Sequence, residues 1–142
     1  MIVKEIMEKQ VHKVLSSVSI VDAAKEMTEK KTSYLLVVDD HKLQGIVTEN
    51  DITRFVSCGE HPKTKSVNDI MVKDVVQISP GKTIEEAAEL MTEKSIKKLP
   101  VVEDKRLVGM VTAEGMVAAE PKMMKQLGEL LLFAKKPQRI AG

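Results

Sequence analysis

The sequence predicts an α+β fold in which one β-α-β-β-α unit occurs twice, packed sheet to sheet, with a C-terminal helix added. Three observations carry the prediction. The chain matches itself without a gap at a shift of 64 positions: Ile6-Met7 falls on Ile70-Met71, Ala23-Ala24 on Ala87-Ala88, Met27-Thr28-Glu29-Lys30 on Met91-Thr92-Glu93-Lys94, and Gly45 and Thr48 on Gly109 and Thr112. Within each copy, apolar residues recur first at helical and then at strand spacing. One register held across both patterns marks a repeated supersecondary unit, and neither half alone buries a comfortable core.

Each element has its own signal. Ile20, Ala23, Ala24 and Met27, and again Ile84, Ala87, Ala88 and Met91, recur at i, i+3, i+4 and i+7, one stripe along a helix of about three turns. Ser19 precedes Asp22 by three residues and Thr83 precedes Glu86 likewise, the spacing of a helix-starting box. Two apolar runs rich in β-branched residues follow each helix, Leu35 to Val38 and Leu43 to Val47, then Leu99 to Val102 and Leu107 to Val111, each pair separated by a polar turn. They read as hairpins, with Pro100 tolerable only at a strand start or edge. Val11 to Leu15 and Val75 to Ile78 read as an earlier strand of each copy, and Thr48 and Thr112 open a second helix. The expected boundaries are repeat one over 1–58, a linker over 59–66, repeat two over 67–119, and a C-terminal amphipathic helix with a basic tail over 120–142. In that last segment Met123, Met124, Leu127, Leu130, Leu131 and Ala134 form the stripe, with Pro121 ahead of it and Lys135-Lys136-Pro137 behind.

Composition narrows the functional classes. The 22 basic and 21 acidic side chains nearly cancel, so no global field marks a nucleic-acid or membrane binder. Aromatic residues are 2% of the chain, too few for a base-stacking platform, which makes nucleic acid an unexpected partner. The single cysteine, Cys58, closes no internal disulfide, no apolar stretch approaches bilayer length, and Met1-Ile2-Val3-Lys4-Glu5 has no signal-like apolar region. A cytoplasmic location is expected. His12, His41 and His61 lack ligand spacing, so no metal site is expected. With no nucleophile-and-base pair and no glycine-rich phosphate loop, the chain does not read as an enzyme.

The doubled β-α-β-β-α unit, ending each time in Gly-apolar-Val-Thr, resembles the cystathionine-β-synthase (CBS) domain pair, here in a stand-alone form, from about Val3 to about Ala119. Copy one completes the family's terminal motif as Gly45-Ile46-Val47-Thr48-Glu49-Asn50-Asp51. Copy two reads Gly109-Met110-Val111-Thr112-Ala113-Glu114-Gly115 and lacks the acid. The resemblance implies a regulatory module that binds an adenine nucleotide between the repeats and signals to a partner protein. Asp51 and Thr48 would hold the ribose, Lys97 and Lys98 the phosphate, and Val11, His12, Ile46 and Pro100 the adenine. A carboxylate accepting from two vicinal hydroxyls and ammonium groups facing a phosphate make chemical sense of that set. Copy one has uncharged Ser33 and Tyr34 where copy two has the lysines, so the second cleft, with Thr112, Val75 and Val76, is expected to be weaker.

AMP is the first expectation among ligands, with ADP, ATP or S-adenosylmethionine as alternatives and no cofactor required; a ligand-free interaction dimer is the rival class. Thr48 and Asp51 also have the spacing of a helix cap. Family pairs commonly associate through their helices, and Phe55, Val56 and the tail stripe offer apolar surface for a homodimer.

Overall fold

The computed structural model describes residues 1–133. Its elements in chain order are α1 (Val3–Ile6), β1 (Lys13–Val14), α2 (Ile20–Lys30), β2 (Tyr34–Asp39), β3 (Lys42–Thr48), α3 (Glu49–Ser57), a 3-10 turn (Val67–Asp69), α4 (Ile84–Lys94), β4 (Lys98–Glu103), β5 (Arg106–Thr112), α5 (Ala113–Ala119), a second 3-10 turn (Pro121–Met123) and α6 (Met124–Phe133). Ala134 and the basic tail with Lys135 and Lys136 lie outside the described residues.

The helices start where the sequence places their caps. Ser19 Oγ accepts from the Asp22 amide at 3.0 Å, and Thr83 and Glu86 form the full reciprocal box at 3.0 and 3.1 Å. The helices α2 and α4 each stop on a left-handed residue, Lys31 (φ 53°) and Ser95 (φ 55°). Each hairpin turns through two residues. Asp40 and His41 in one, Asp104 and Lys105 in the other, all have positive φ, the twist that suits a two-residue hairpin turn.

The earlier strand of each copy is shorter than the sequence suggests. In copy one it is Lys13–Val14, parallel to β2. In copy two the Val75 to Ile78 strand is reduced to a bridge between Ile78 and Val101. Proline explains the difference. Leu36 donates its amide to His12 O at 2.9 Å, whereas its equivalent, Pro100, has no N–H to donate and serves only as acceptor for the Ile78 amide at 3.0 Å.

The chain divides into two compact units, and their membership is not that of the repeats: unit 1 contains Met1–Gln10, Val76–Asp104 and the chain from Val108, while unit 2 contains Val11–Val75 and Lys105–Leu107. The opening segment of each copy therefore packs on the body of the other copy. In unit 1, Val3 N donates to Lys82 O at 2.8 Å, Ile84 N to Met1 O at 3.1 Å, and Glu8 exchanges both backbone bonds with Met110 at 2.8 and 2.9 Å. In unit 2 the same bonds recur 64 residues on or back: Val67 N to Val18 O at 2.9 Å, Ile20 N to Lys65 O at 3.1 Å, and Val72 with Ile46 at 2.9 and 3.0 Å. The bonds to Ile20 and Ile84 also satisfy amides that the first turns of α2 and α4 would leave without partners.

Gly45 and Gly109 make these crossings possible. A Cβ on Gly45 would stand 2.7 Å from Val72 O and 2.8 Å from Met71 Sδ, and one on Gly109 would stand 2.8 Å from Glu8 O and 2.8 Å from Met7 Sδ. The glycine that opens each Gly-apolar-Val-Thr run is thus where a second backbone passes directly over the strand.

Each unit has its own core. Unit 2 buries Ala23, Met27, Leu35, Val37, Val47 and Val67 together. In unit 1 the faces of α4, β4 and α5 close around Met91, Leu99 and Met116, with Met123 and Leu127 of the C-terminal segment in the same cluster. No helix among the described residues is long and apolar enough to cross a membrane.

Candidate functional site

Unit 2 gathers Thr48, Asp51, His12 and Ile46 around the end of its hairpin. Thr48 is the last residue of β3 and the N-cap of α3, with extended backbone (φ −120°, ψ 167°) that turns the chain out of the sheet into the helix. Its amide donates to Asp51 Oδ2 at 2.8 Å, its hydroxyl donates to the same oxygen at 3.0 Å, and the Asp51 amide returns to Thr48 Oγ1 at 3.3 Å. The capping expected from the spacing is therefore formed, and it uses one carboxylate oxygen.

The other oxygen is differently placed. Asp51 is 8% exposed, the one charged side chain buried among the described residues, and burying a carboxylate demands compensation. Oδ1 lies 3.7 Å from Nη1 of Arg54, itself 71% exposed. Asp51 and Arg54 line a cavity of about 230 Å3 with Phe55, Cys58 and Ile70. Arg54 and this cavity were not singled out from sequence, although the i, i+3 spacing of Arg54 from Asp51 was visible in it.

His12 and Ile46 are brought together across one residue. Leu36 joins both: its amide donates to His12 O, and it stands opposite Ile46 in the β2–β3 register. Tyr34, opposite Thr48 in the same register, sets its ring edge-on to His12 with centroids 5.9 Å apart and planes 68° apart. Tyr34 entered the sequence reading only as an uncharged counterpart of Lys98. In the structure it links His12 to Thr48. Val11 and Val75 also belong to unit 2, both half-buried.

Lys97, Lys98, Pro100, Val76 and Thr112 belong to unit 1. Lys97 and Lys98 lie past the end of α4, which stops at Lys94, so neither is a helix-end cation. Lys97 O accepts from the Ala113 amide at 2.9 Å, as Ser33 O accepts from the Glu49 amide at 3.0 Å in unit 2. Each pre-strand position thus pins the first turn of the helix that follows the hairpin. Thr112 Oγ1 caps α5 through the Gly115 amide at 3.0 Å, and with glycine at that position no carboxylate completes the box. Among the described residues no cluster of three His, Cys, Asp or Glu is arranged to hold a metal ion.

The sequence profile of the CBS domain matches residues 3–58 and 67–121. The chain is 40% identical over 114 residues to a homoserine O-acetyltransferase of Methanohalobium evestigatum, a match that covers 79% of this chain and 22% of that enzyme. The chain thus spans about a fifth of that relative's length. Among solved structures, the CBS domain pair of protein MJ0100 in complex with 5′-methylthioadenosine and S-adenosyl-L-methionine superposes with a TM-score of 0.72 at 30% identity, covering 86% of this chain and 97% of that one. CBSX2 in complex with AMP gives 0.73 at 29% identity, with the same two coverages.

Proposed function

Because the chain belongs to the CBS domain family, we propose that it is a regulatory module that binds an adenine nucleotide, AMP foremost, with residues from both repeats, and passes the bound state to a partner protein. The observation that carries this is the divided carboxylate of Asp51. Oδ2 is held by the cap, which fixes the rotamer, while Oδ1 lies 3.7 Å from an exposed guanidinium, and the residue lines a cavity with Arg54, Phe55, Cys58 and Ile70. A carboxylate whose rotamer is fixed through one oxygen keeps the other to accept from a ribose diol. In this reading Thr48 shares the ribose with Asp51, Val11, His12, Ile46 and Pro100 take the adenine, and Lys97 and Lys98 meet the phosphate. In the same reading Thr112, Val75 and Val76 serve a weaker second site, because Gly115 occupies the position of the acid. The module catalyses nothing in this proposal and needs no cofactor. It works as a homodimer in the cytoplasm.

A second reading is favoured by one observation. The MJ0100 pair, 30% identical to this chain, was solved with 5′-methylthioadenosine and S-adenosyl-L-methionine, adenosyl ligands without phosphate. Calorimetric titration with AMP, ADP, ATP and S-adenosylmethionine separates the two. AMP binding that Lys98→Ala weakens tenfold supports the nucleotide, since hydrogen bonds to charged groups contribute roughly 1.5–3 kcal/mol. Binding of S-adenosylmethionine alone, indifferent to Lys98, supports the adenosyl ligand. No binding of any of the four removes both.

A further inference from the structure

Copy one holds a carboxylate and a guanidinium together where copy two holds neither. Asp51 and Arg54 stand one turn apart on α3, and their equivalents 64 residues on are Gly115 and Ala118. Asp51 Oδ1 and Arg54 Nη1 are 3.7 Å apart, too far for a hydrogen bond. Arg54 is 71% exposed, so little packing holds its guanidinium in place.

The usual structural roles do not account for Arg54. Its pairing with Asp51 is an exposed i, i+3 contact, of a kind that contributes little to helix stability. The Asp51 rotamer needs no guanidinium, because the amide and hydroxyl of Thr48 both bond Oδ2, at 2.8 and 3.0 Å. What Arg54 does contribute is a positive charge to the lining of the cavity it shares with Asp51, Phe55, Cys58 and Ile70.

Adenosyl ligands give that charge something to read. A ribose whose 2′ and 3′ hydroxyls donate to Oδ1 carries its 5′ substituent only a few bonds away, inside the screening length of about 10 Å at 0.1 M salt. The ligands differ in sign at that position: AMP has a phosphate, adenosine a neutral hydroxyl, and S-adenosylmethionine a cationic sulfonium. Asp51 alone would repel the phosphate and attract the sulfonium. A guanidinium beside Oδ1 reverses that order.

We propose that Arg54 ranks ligands at this site by the charge of their 5′ substituent, phosphate above hydroxyl and hydroxyl above sulfonium. The inference rests on the ribose contact proposed for Asp51 and adds a selectivity that the carboxylate lacks, since Asp51 meets the same diol in all three ligands.

Calorimetric titration of AMP, adenosine and S-adenosylmethionine into wild type, Arg54→Ala, Arg54→Lys and Asp51→Ala tests it. Arg54→Ala should weaken AMP about fivefold, leave adenosine within about twofold, and tighten S-adenosylmethionine about twofold or more. Arg54→Lys keeps the charge and should stay near wild type with all three. A role in shaping the helix would instead move the three affinities in one direction. Affinities that shift together in Arg54→Ala, or do not shift, overturn the inference, and if Asp51→Ala still weakens all three ligands the ribose contact stands without it. A wild-type chain that prefers S-adenosylmethionine to AMP also overturns it. Asp51→Ala affinities equal to those of wild type, or no binding by wild type, remove the ribose contact and the part of Arg54 with it.

Discussion

The amide of Thr48 and Oδ2 of Asp51 meet at 2.8 Å, so one residue of the family motif starts α3 and holds the other's carboxylate in a fixed rotamer. Capping and the proposed ribose contact use different oxygens of Asp51, so the two roles are compatible and carry different energetic signatures.

Asp51→Ala should lower ligand-free stability by about 1 kcal/mol through the lost cap, and should weaken AMP by roughly 1.5–3 kcal/mol, tenfold or more, through the lost ribose bonds. Asp51→Asn keeps a capping oxygen and should fall between wild type and alanine in affinity, with a stability close to wild type. Calorimetry and urea denaturation on the same preparations measure both. AMP affinity unchanged in Asp51→Ala would detach the residue from the site.

Stoichiometry follows from Gly115. Only copy one has the carboxylate, so AMP should titrate with one dominant site per chain. Two sites of equal affinity by calorimetry would show that the acid is dispensable.

Gly45→Ala and Gly109→Ala should each destabilise the protein by about 1–3 kcal/mol, because the new methyl meets a carbonyl oxygen of the crossing segment as well as a methionine sulfur. Trimming Met71 to alanine in the Gly45→Ala background should recover little, since Val72 O cannot move without breaking the bond it accepts from the Ile46 amide. Full recovery in the double variant would mean that the sulfur alone was the obstacle.

Asp39 accepts from both the hydroxyl and the amide of Ser16, and these bonds, the hydroxyl first, hold its carboxyl below the ordinary aspartate value. A folded-state value depressed below the unfolded one gives stability that is fully present above the unfolded value and is lost as pH falls through the folded one. Ser16→Ala should therefore cost stability at neutral pH by an amount that stays constant down to the ordinary aspartate range and shrinks at more acidic pH. A gap that instead widened on acidification, in denaturation curves taken at several pH values, would contradict the assignment.

Local signals made most of the fold legible. The caps at Ser19 and Thr83, the apolar stripes and the hairpin runs all formed where the pattern placed them, because each depends on residues within a few positions. The shortened second-copy strand is a consequence of Pro100, whose missing donor was visible in the sequence but whose intended partner was not. The exchange of Met1–Gln10 and of the segment around Val72 was hidden for a deeper reason: a gapless repeat aligns each opening segment with its own copy, and nothing in an alignment says which copy it packs on. At the site, Thr48 and Asp51 were readable as a motif, whereas Arg54 and Tyr34 matter through a helix turn and a cross-strand pairing that only coordinates display.

The exchange of opening segments also separates inheritance from autonomy. What was duplicated runs from about Val3 and again from about Val67, yet a polypeptide ending at Cys58 would lack the edge that Val72 supplies to Ile46, and would carry instead an edge, Glu8, made for Met110. The compact unit around that edge runs from Val11 to Val75 together with Lys105–Leu107, and its ends fall neither at a repeat boundary nor in the linker. Cutting the protein between its repeats would sever the Glu8–Met110 and Ile46–Val72 bonds, and one repeat grafted into another chain would arrive without them.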